Sequence, residues 1–125
     1  MPNIPILIVD DNLLNIKLIN HVLTSNGYEV LVAINAKEAL QILSTQQPRL
    51  ILMDLQLPGT NGLELTRQLK ANPRYQKTPI IAITAYVTKG DDEQAFAAGC
   101  DGYITKPIDI KRLPDIIAGY LYIDR

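Results

Sequence analysis

The sequence is poor in the residues that carry redox, zinc and disulfide chemistry: it has one cysteine, Cys100, one histidine, His21, one phenylalanine and no tryptophan. A single thiol excludes an intrachain disulfide and a Cys-x-x-Cys redox pair, and one His with one Cys cannot build a structural zinc site. Long hydrophobic runs are also missing, so nothing approaches the ~20 apolar residues of a membrane span. Met1-Pro2-Asn3 does not lead into a basic segment followed by a signal-like apolar region. An excess of one charge is absent as well, with twelve Lys plus Arg against thirteen Asp plus Glu and a formal net charge of −1. Polyanion binding asks for a basic excess on one face, so no nucleic-acid partner is expected. These absences point to a cytoplasmic protein without a membrane partner. What is present is ordinary for a folded domain: 125 residues, 47% hydrophobic and 20% charged. That length suits one domain spanning residues 1–125, with no room for a separate output module.

Short apolar runs alternate with longer amphipathic stretches. The runs are Ile6-Leu7-Ile8-Val9, Val30-Leu31-Val32-Ala33, Leu50-Ile51-Leu52-Met53, Ile80-Ile81-Ala82-Ile83 and the shorter Tyr103-Ile104. Runs without in/out alternation predict strands buried on both faces, as in a parallel sheet covered by helices. Between them, Leu14, Leu18 and Val22, beside Ile19 and Leu23, predict a first helix stopped by Asn26-Gly27. Asn35 caps a second, with Glu38 at the third helical position and Ala39, Leu40 and Leu43 as its apolar stripe. A third helix starts near Asn61-Gly62, carries Leu63, Leu65 and Leu69, and ends before Asn72-Pro73. The fourth spans about Thr88 to Ala98, with Gly99 beyond its end. The last begins near Asp109 or later, because Pro114 costs a hydrogen bond anywhere past the first turn. Five βα units with right-handed crossovers give an α/β, doubly wound, five-stranded parallel sheet with helices on both faces. The strand order common for this size is 2-1-3-4-5, and ligands bind beyond the carboxyl ends of such strands.

Asp10-Asp11 follow the first run, Asp54 the third, Thr84-Ala85 the fourth and Lys106-Pro107 the fifth. If the first and third strands are neighbours, three carboxylates meet at one rim. Two such charges ~4 Å apart repel by about 4 kcal/mol at an effective dielectric of ~20, so the cluster calls for a counter-cation or a proton. All-oxygen donors suit Mg²⁺ better than zinc or copper. Lys106 adds a fixed positive charge and Thr84 a hydroxyl, and together these groups serve phosphoryl transfer to a carboxylate nucleophile.

These residues resemble the receiver domain of two-component response regulators, the CheY-like variant of the flavodoxin-like fold. The resemblance spans nearly the whole chain. It is carried by Ile8-Val9-Asp10-Asp11-Asn12, Met53-Asp54-Leu55-Gln56-Leu57-Pro58-Gly59, Asn61-Gly62, Ile83-Thr84-Ala85, Ala98-Gly99-Cys100-Asp101-Gly102-Tyr103 and Thr105-Lys106-Pro107. Thr84 lies 30 residues and Lys106 52 residues after Asp54, spacings typical of the family. The resemblance implies that Asp54 is the phosphoacceptor and that Mg²⁺ is held by Asp11 directly, Asp10 mainly through water, Asp54 and the backbone carbonyl of Gln56. It implies that Thr84 and Lys106 bind the phosphoryl oxygens and that the Lys106-Pro107 bond is cis, accessible at ordinary cost only before proline. Thr84 and Tyr103 would form the switch, and Gln56 and Tyr86 would border the attacking water and tune the lifetime of the phosphoryl group. A sensor histidine kinase or histidine phosphotransfer protein is the implied donor, with a downstream protein as target. The chain is expected to be a monomer that catalyses only its own phosphorylation and dephosphorylation.

Other functions fit less well. A flavin carrier on this fold cradles phosphate after the first strand, where Asp10-Asp11 would repel it. A haloacid dehalogenase-type hydrolase has a second Asp two residues after its nucleophile, and this chain has Gln56 there. The alternative that keeps the fold is a pseudo-receiver binding partners without phosphorylation. Against it stands the complete set of acidic pair, acceptor, hydroxyl and lysine. His21 is expected on the surface of the first helix with no ligand partner. Cys100 is expected to behave as a small buried hydrophobe. Asp91-Asp92-Glu93 are expected to complement the dipole of the fourth helix.

Overall fold

A computed structural model describes residues 4–55, 62–84, 91–106 and 108–121. Five strands and five helices alternate: β1 Ile4–Val9, α1 Leu13–Ser25, β2 Tyr28–Ala33, α2 Ala36–Thr45, β3 Leu50–Asp54, α3 Gly62–Lys70, β4 Ile80–Thr84, α4 Asp91–Ala98, β5 Gly102–Thr105 and α5 Leu113–Leu121. All pairings are parallel and the order is β2-β1-β3-β4-β5, the order expected for a doubly wound sheet of this size.

Side chains alternate across the pleat into two cores. Leu7, Val9, Ile51, Met53 and Ala82 pack with Ala39 and Leu43 of α2, Leu65 and Leu69 of α3, and Ala95 of α4. Ile6, Ile8, Leu50, Leu52, Ile81 and Ile83 pack on the other face with Ile19, Val22 and Leu23 of α1 and Leu113, Ile117 and Leu121 of α5. β1, β3 and β4 are therefore apolar without alternation because each of their faces meets a helix layer. β2 departs from the expected two-sided burial, since it is an edge strand and Val32 is exposed.

The helix ends follow local chemistry. Asn12 caps α1 by accepting from the Asn15 N–H at 3.0 Å, and Gly27 takes a φ of +86° just past its end. Asn35 accepts from Glu38 N–H at 2.8 Å, while Glu38 accepts from Ile34 N–H at 3.0 Å. α5 begins at Leu113, not Asp109. Residues 109–112 form a turn in which Arg112 and Leu113 both donate to the Asp109 carbonyl. Pro114 then falls in the first turn of α5, where its missing N–H would have had no intrahelical partner. α4 ends at Ala98 and Gly99 follows with φ +112°, while the expected start at Thr88 lies outside the described residues.

Two expected apolar stripes need correction. α1 buries Ile16, Ile19, Val22 and Leu23, whereas Leu14 is 65% and Leu18 41% exposed. On α2, Ala39 and Leu43 are buried and Leu40 is exposed. In α1 a second apolar row flanks the core-facing one, and in α2 Leu40 alone lies beside it.

Candidate functional site at the carboxyl ends of the strands

Sheet register builds the site. Val9 pairs with Met53, so the residues that follow, Asp10 and Asp54, emerge side by side. Asp54 in turn pairs with Ile83, which places Thr84 on the adjoining strand end, and Thr84 pairs with Thr105 directly before Lys106. The Lys106 N–H donates to the Thr84 carbonyl at 2.8 Å, extending the β4–β5 ladder by one bond into the rim.

Carboxylate oxygens of Asp10, Asp11 and Asp54 lie within 4.8 Å of one another. Asp10 is fully buried and Asp54 is 1% exposed, whereas Asp11 faces solvent. Lys106 Nζ donates to Asp54 Oδ2 at 3.1 Å. One oxygen of Asp10 accepts from the Asn12 N–H at 2.9 Å, but Asp10 Oδ2 is buried with no partner among the described residues. Burial holds the Asp10 carboxyl at about 6, well above its ordinary 3.8, and the Asp54 carboxylate pushes the same way while the Asn12 N–H and Lys106 oppose it.

A partnerless buried carboxylate oxygen beside two further carboxylates is the arrangement a hard, oxygen-seeking divalent cation relieves. The donor set is all oxygen and one member is open to water, so the residues present fit such an ion. Soft or imidazole-seeking metals find no sulfur or nitrogen ligand in this cluster.

Gly62 has a role that its place in the motif did not disclose. A Cβ at this position would sit 2.5 Å from the Asp54 carbonyl oxygen and 2.8 Å from Leu55 Cα. The first turn of α3 therefore rests directly on the backbone of Asp54 and Leu55, and only glycine permits the approach. Thr84 is buried at its strand end. Tyr103 is half-buried on β5 against the α2–α3–α4 core. Expectations for Gln56, Tyr86 and Pro107 fall outside the described residues. His21 is exposed on α1 and Cys100 is buried, both as expected, and burial pushes the pKa of the Cys100 thiol upward.

The fold and site together define a doubly wound α/β domain with an acidic, cation-ready crevice at the carboxyl ends of its central strands. The chain belongs to the response regulator receiver domain family, whose model matches residues 6–118. It is 43% identical over 116 residues to the polar-differentiation response regulator DivK of Brucella anthropi, covering 93% of this chain and 94% of that one. Among solved structures it resembles the receiver domain of the sensor histidine kinase PA1611 of Pseudomonas aeruginosa PAO1, which has a magnesium ion coordinated in its active-site cleft. That match has a TM-score of 0.87 and 33% identity, and covers 96% of this chain and 98% of the other. It also resembles the phosphorylated cyanobacterial phytochrome response regulator RcpA, with a TM-score of 0.81, 27% identity and coverage of 94% and 91%.

Proposed function

We propose that the protein is a phosphorylation-dependent switch in which Asp54 accepts a phosphoryl group from a phosphohistidine on a sensor kinase or phosphotransfer protein. The observation that carries this reading is the setting of Asp54. Its carboxylate is buried, held by Lys106 at 3.1 Å and flanked by two more carboxylates at ligand distance. Mg²⁺ held by Asp10, Asp11 and Asp54 would supply positive charge against the incoming phosphoryl oxygens. The Asp54 carboxylate oxygen forms the new bond to phosphorus as the bond from phosphorus to the histidine nitrogen breaks, and the electron pair leaves with the imidazole. Lys106 starts bonded to Asp54 and is placed to move its ammonium onto a phosphoryl oxygen as charge shifts outward. The Thr84 hydroxyl binds a second oxygen, and its movement toward the phosphoryl group is communicated to Tyr103 across the β4–β5 pair. The output is a population shift in a face that partners read.

A protein-sized donor suits the surroundings. Leu14 and Leu18 line an apolar groove of about 220 Å³ between α1 and the segment before α5, with Ile108 and Ile110 opposite. The reaction changes only this protein's own covalent state, so the chain is not a turnover enzyme. Acetyl phosphate with Mg²⁺ should produce a phosphoprotein visible by gel retardation, and EDTA should abolish it. Lys106→Ala should slow formation by about tenfold or more. Formation that persists in EDTA at the full rate would reject the reading.

A further inference from the structure

At the opposite end of the sheet lies an open surface pocket of about 340 Å³, within the size range of small-molecule sites. Three cationic side chains line it: Arg49 just before β3, Arg74 in the α3–β4 connection and Lys77 a few residues before β4. Among the described residues no carboxylate lines it, and none of the three cations forms an ion pair. A fourth cation nearby shows the contrast. Lys70 is consumed by structure, donating to the Gln76 and Thr78 carbonyls and to Asp101 Oδ2 at 2.9 Å.

Arg74 is set in place without being neutralised. Its Nε donates to Gln47 Oε1 at 2.9 Å, Gln47 Nε2 donates back to the Arg74 carbonyl at 2.8 Å, and the guanidinium lies 5.4 Å from the Tyr75 ring centroid. Among the described residues its two terminal nitrogens have no hydrogen-bond partner. Pro48, Thr78 and Pro79, all buried, also line it, and Tyr120 and Leu121 close the side toward α5. Tyr120 is pinned there, because its ring tip occupies the space that a Cβ on Gly102 would need.

We propose that this cavity binds a phosphorylated small molecule with a flat ring, a nucleotide. Guanidinium and ammonium groups supply charge-assisted bonds to phosphate. The half-buried Tyr120 ring supplies a face on which a base can lie. The site is independent of the phosphoacceptor, being built at the amino ends of the same strands.

Calorimetric titration of the intact protein with GDP and ADP, in EDTA so that the acidic rim holds no metal, tests the proposal. Binding is expected at low salt and should weaken as salt rises. Arg49→Ala/Lys77→Ala should weaken it by about tenfold or more. A charge-matched control, Lys17→Ala/Lys37→Ala, removes two exposed lysines of α1 and α2 and should leave it unchanged. Pyrophosphate measures how far phosphate alone suffices and should bind at least about tenfold more weakly. The proposal fails if neither nucleotide binds, if both double variants weaken binding equally, or if pyrophosphate binds as tightly as GDP. It fails too if the cavity variants lower thermal stability while binding persists, since the cations would then serve only the stability of the fold.

Discussion

Asp10 is fully buried, its Oδ2 has no hydrogen bond among the described residues, and its pKa is about 6. Between the unfolded value of 3.8 and the folded value, the native state keeps a proton that the unfolded chain has lost. Its contribution to stability is therefore fully present below pH 3.8 and is lost as pH rises through about 6. The loss is about 2–3 kcal/mol, since each tenfold difference in proton affinity between the folded and unfolded carboxyl is worth roughly 1.4 kcal/mol. Denaturation free energies in EDTA should fall between pH 4 and 6.5 in the wild type, and this slope should flatten in Asp10→Asn. Relief of the buried charge should also raise the melting temperature of Asp10→Asn by about 5–10 °C at pH 7.5 without divalent cation. A wild-type profile that matches the variant's would contradict the assigned penalty. Mg²⁺ should reverse the order at pH 7.5, stabilising the wild type and leaving Asp10→Asn nearly unchanged. If the Tyr86 ring restricts in-line water, Tyr86→Ala should shorten the phosphoprotein half-life, and an unchanged or longer half-life would remove that role.

Among the elements, α3 couples packing to the site most directly, because its first residue rests on the backbone of Asp54 and Leu55. Gly62→Ala would force a Cβ into the Asp54 carbonyl, which cannot yield as a side-chain tip can. The expected cost is about 2–3 kcal/mol in chemical denaturation, together with slower phosphoryl acceptance. An Ala variant as stable and as active as the wild type would show that α3 can retreat freely. Element identity was legible from sequence where the chemistry is local: the Asn35–Glu38 cap, the Gly27 and Gly99 stops and the unbroken runs of β1, β3 and β4. Facing was less legible. Leu14, Leu18 and Leu40 obey helical spacing yet stay exposed, since periodicity cannot say which of two apolar rows meets the sheet. Val32 is exposed because β2 is an edge strand, a position the expected order implied although its unbroken apolar run suggested burial on both faces. The turn before α5 was visible only as the conflict between Asp109 and Pro114.

Across the whole molecule, the fold places its carboxylate cluster at one end of the sheet and, among the described residues, three unpaired cations at the other. The acidic end was legible because parallel strands project their following residues to one rim, so Asp10, Asp54, Thr84 and Lys106 converge once the strand order is known. The cationic end was not, because Arg49, Arg74 and Lys77 come from separate connections that meet only in space. The same holds for the Lys70–Asp101 pair and for Tyr75, whose hydroxyl donates to the Leu43 carbonyl at 2.5 Å from the far side of β3 in sequence. The net charge of −1 averages over these two ends. No helix among the described residues is long and apolar enough to cross a membrane. Intact-mass measurement after incubation with acetyl phosphate and Mg²⁺ tests Asp54 as the proposed phosphoacceptor most directly. The wild type should gain the mass of one phosphoryl group and Asp54→Asn none, whereas no gain by the wild type, or equal gain by both proteins, would contradict it.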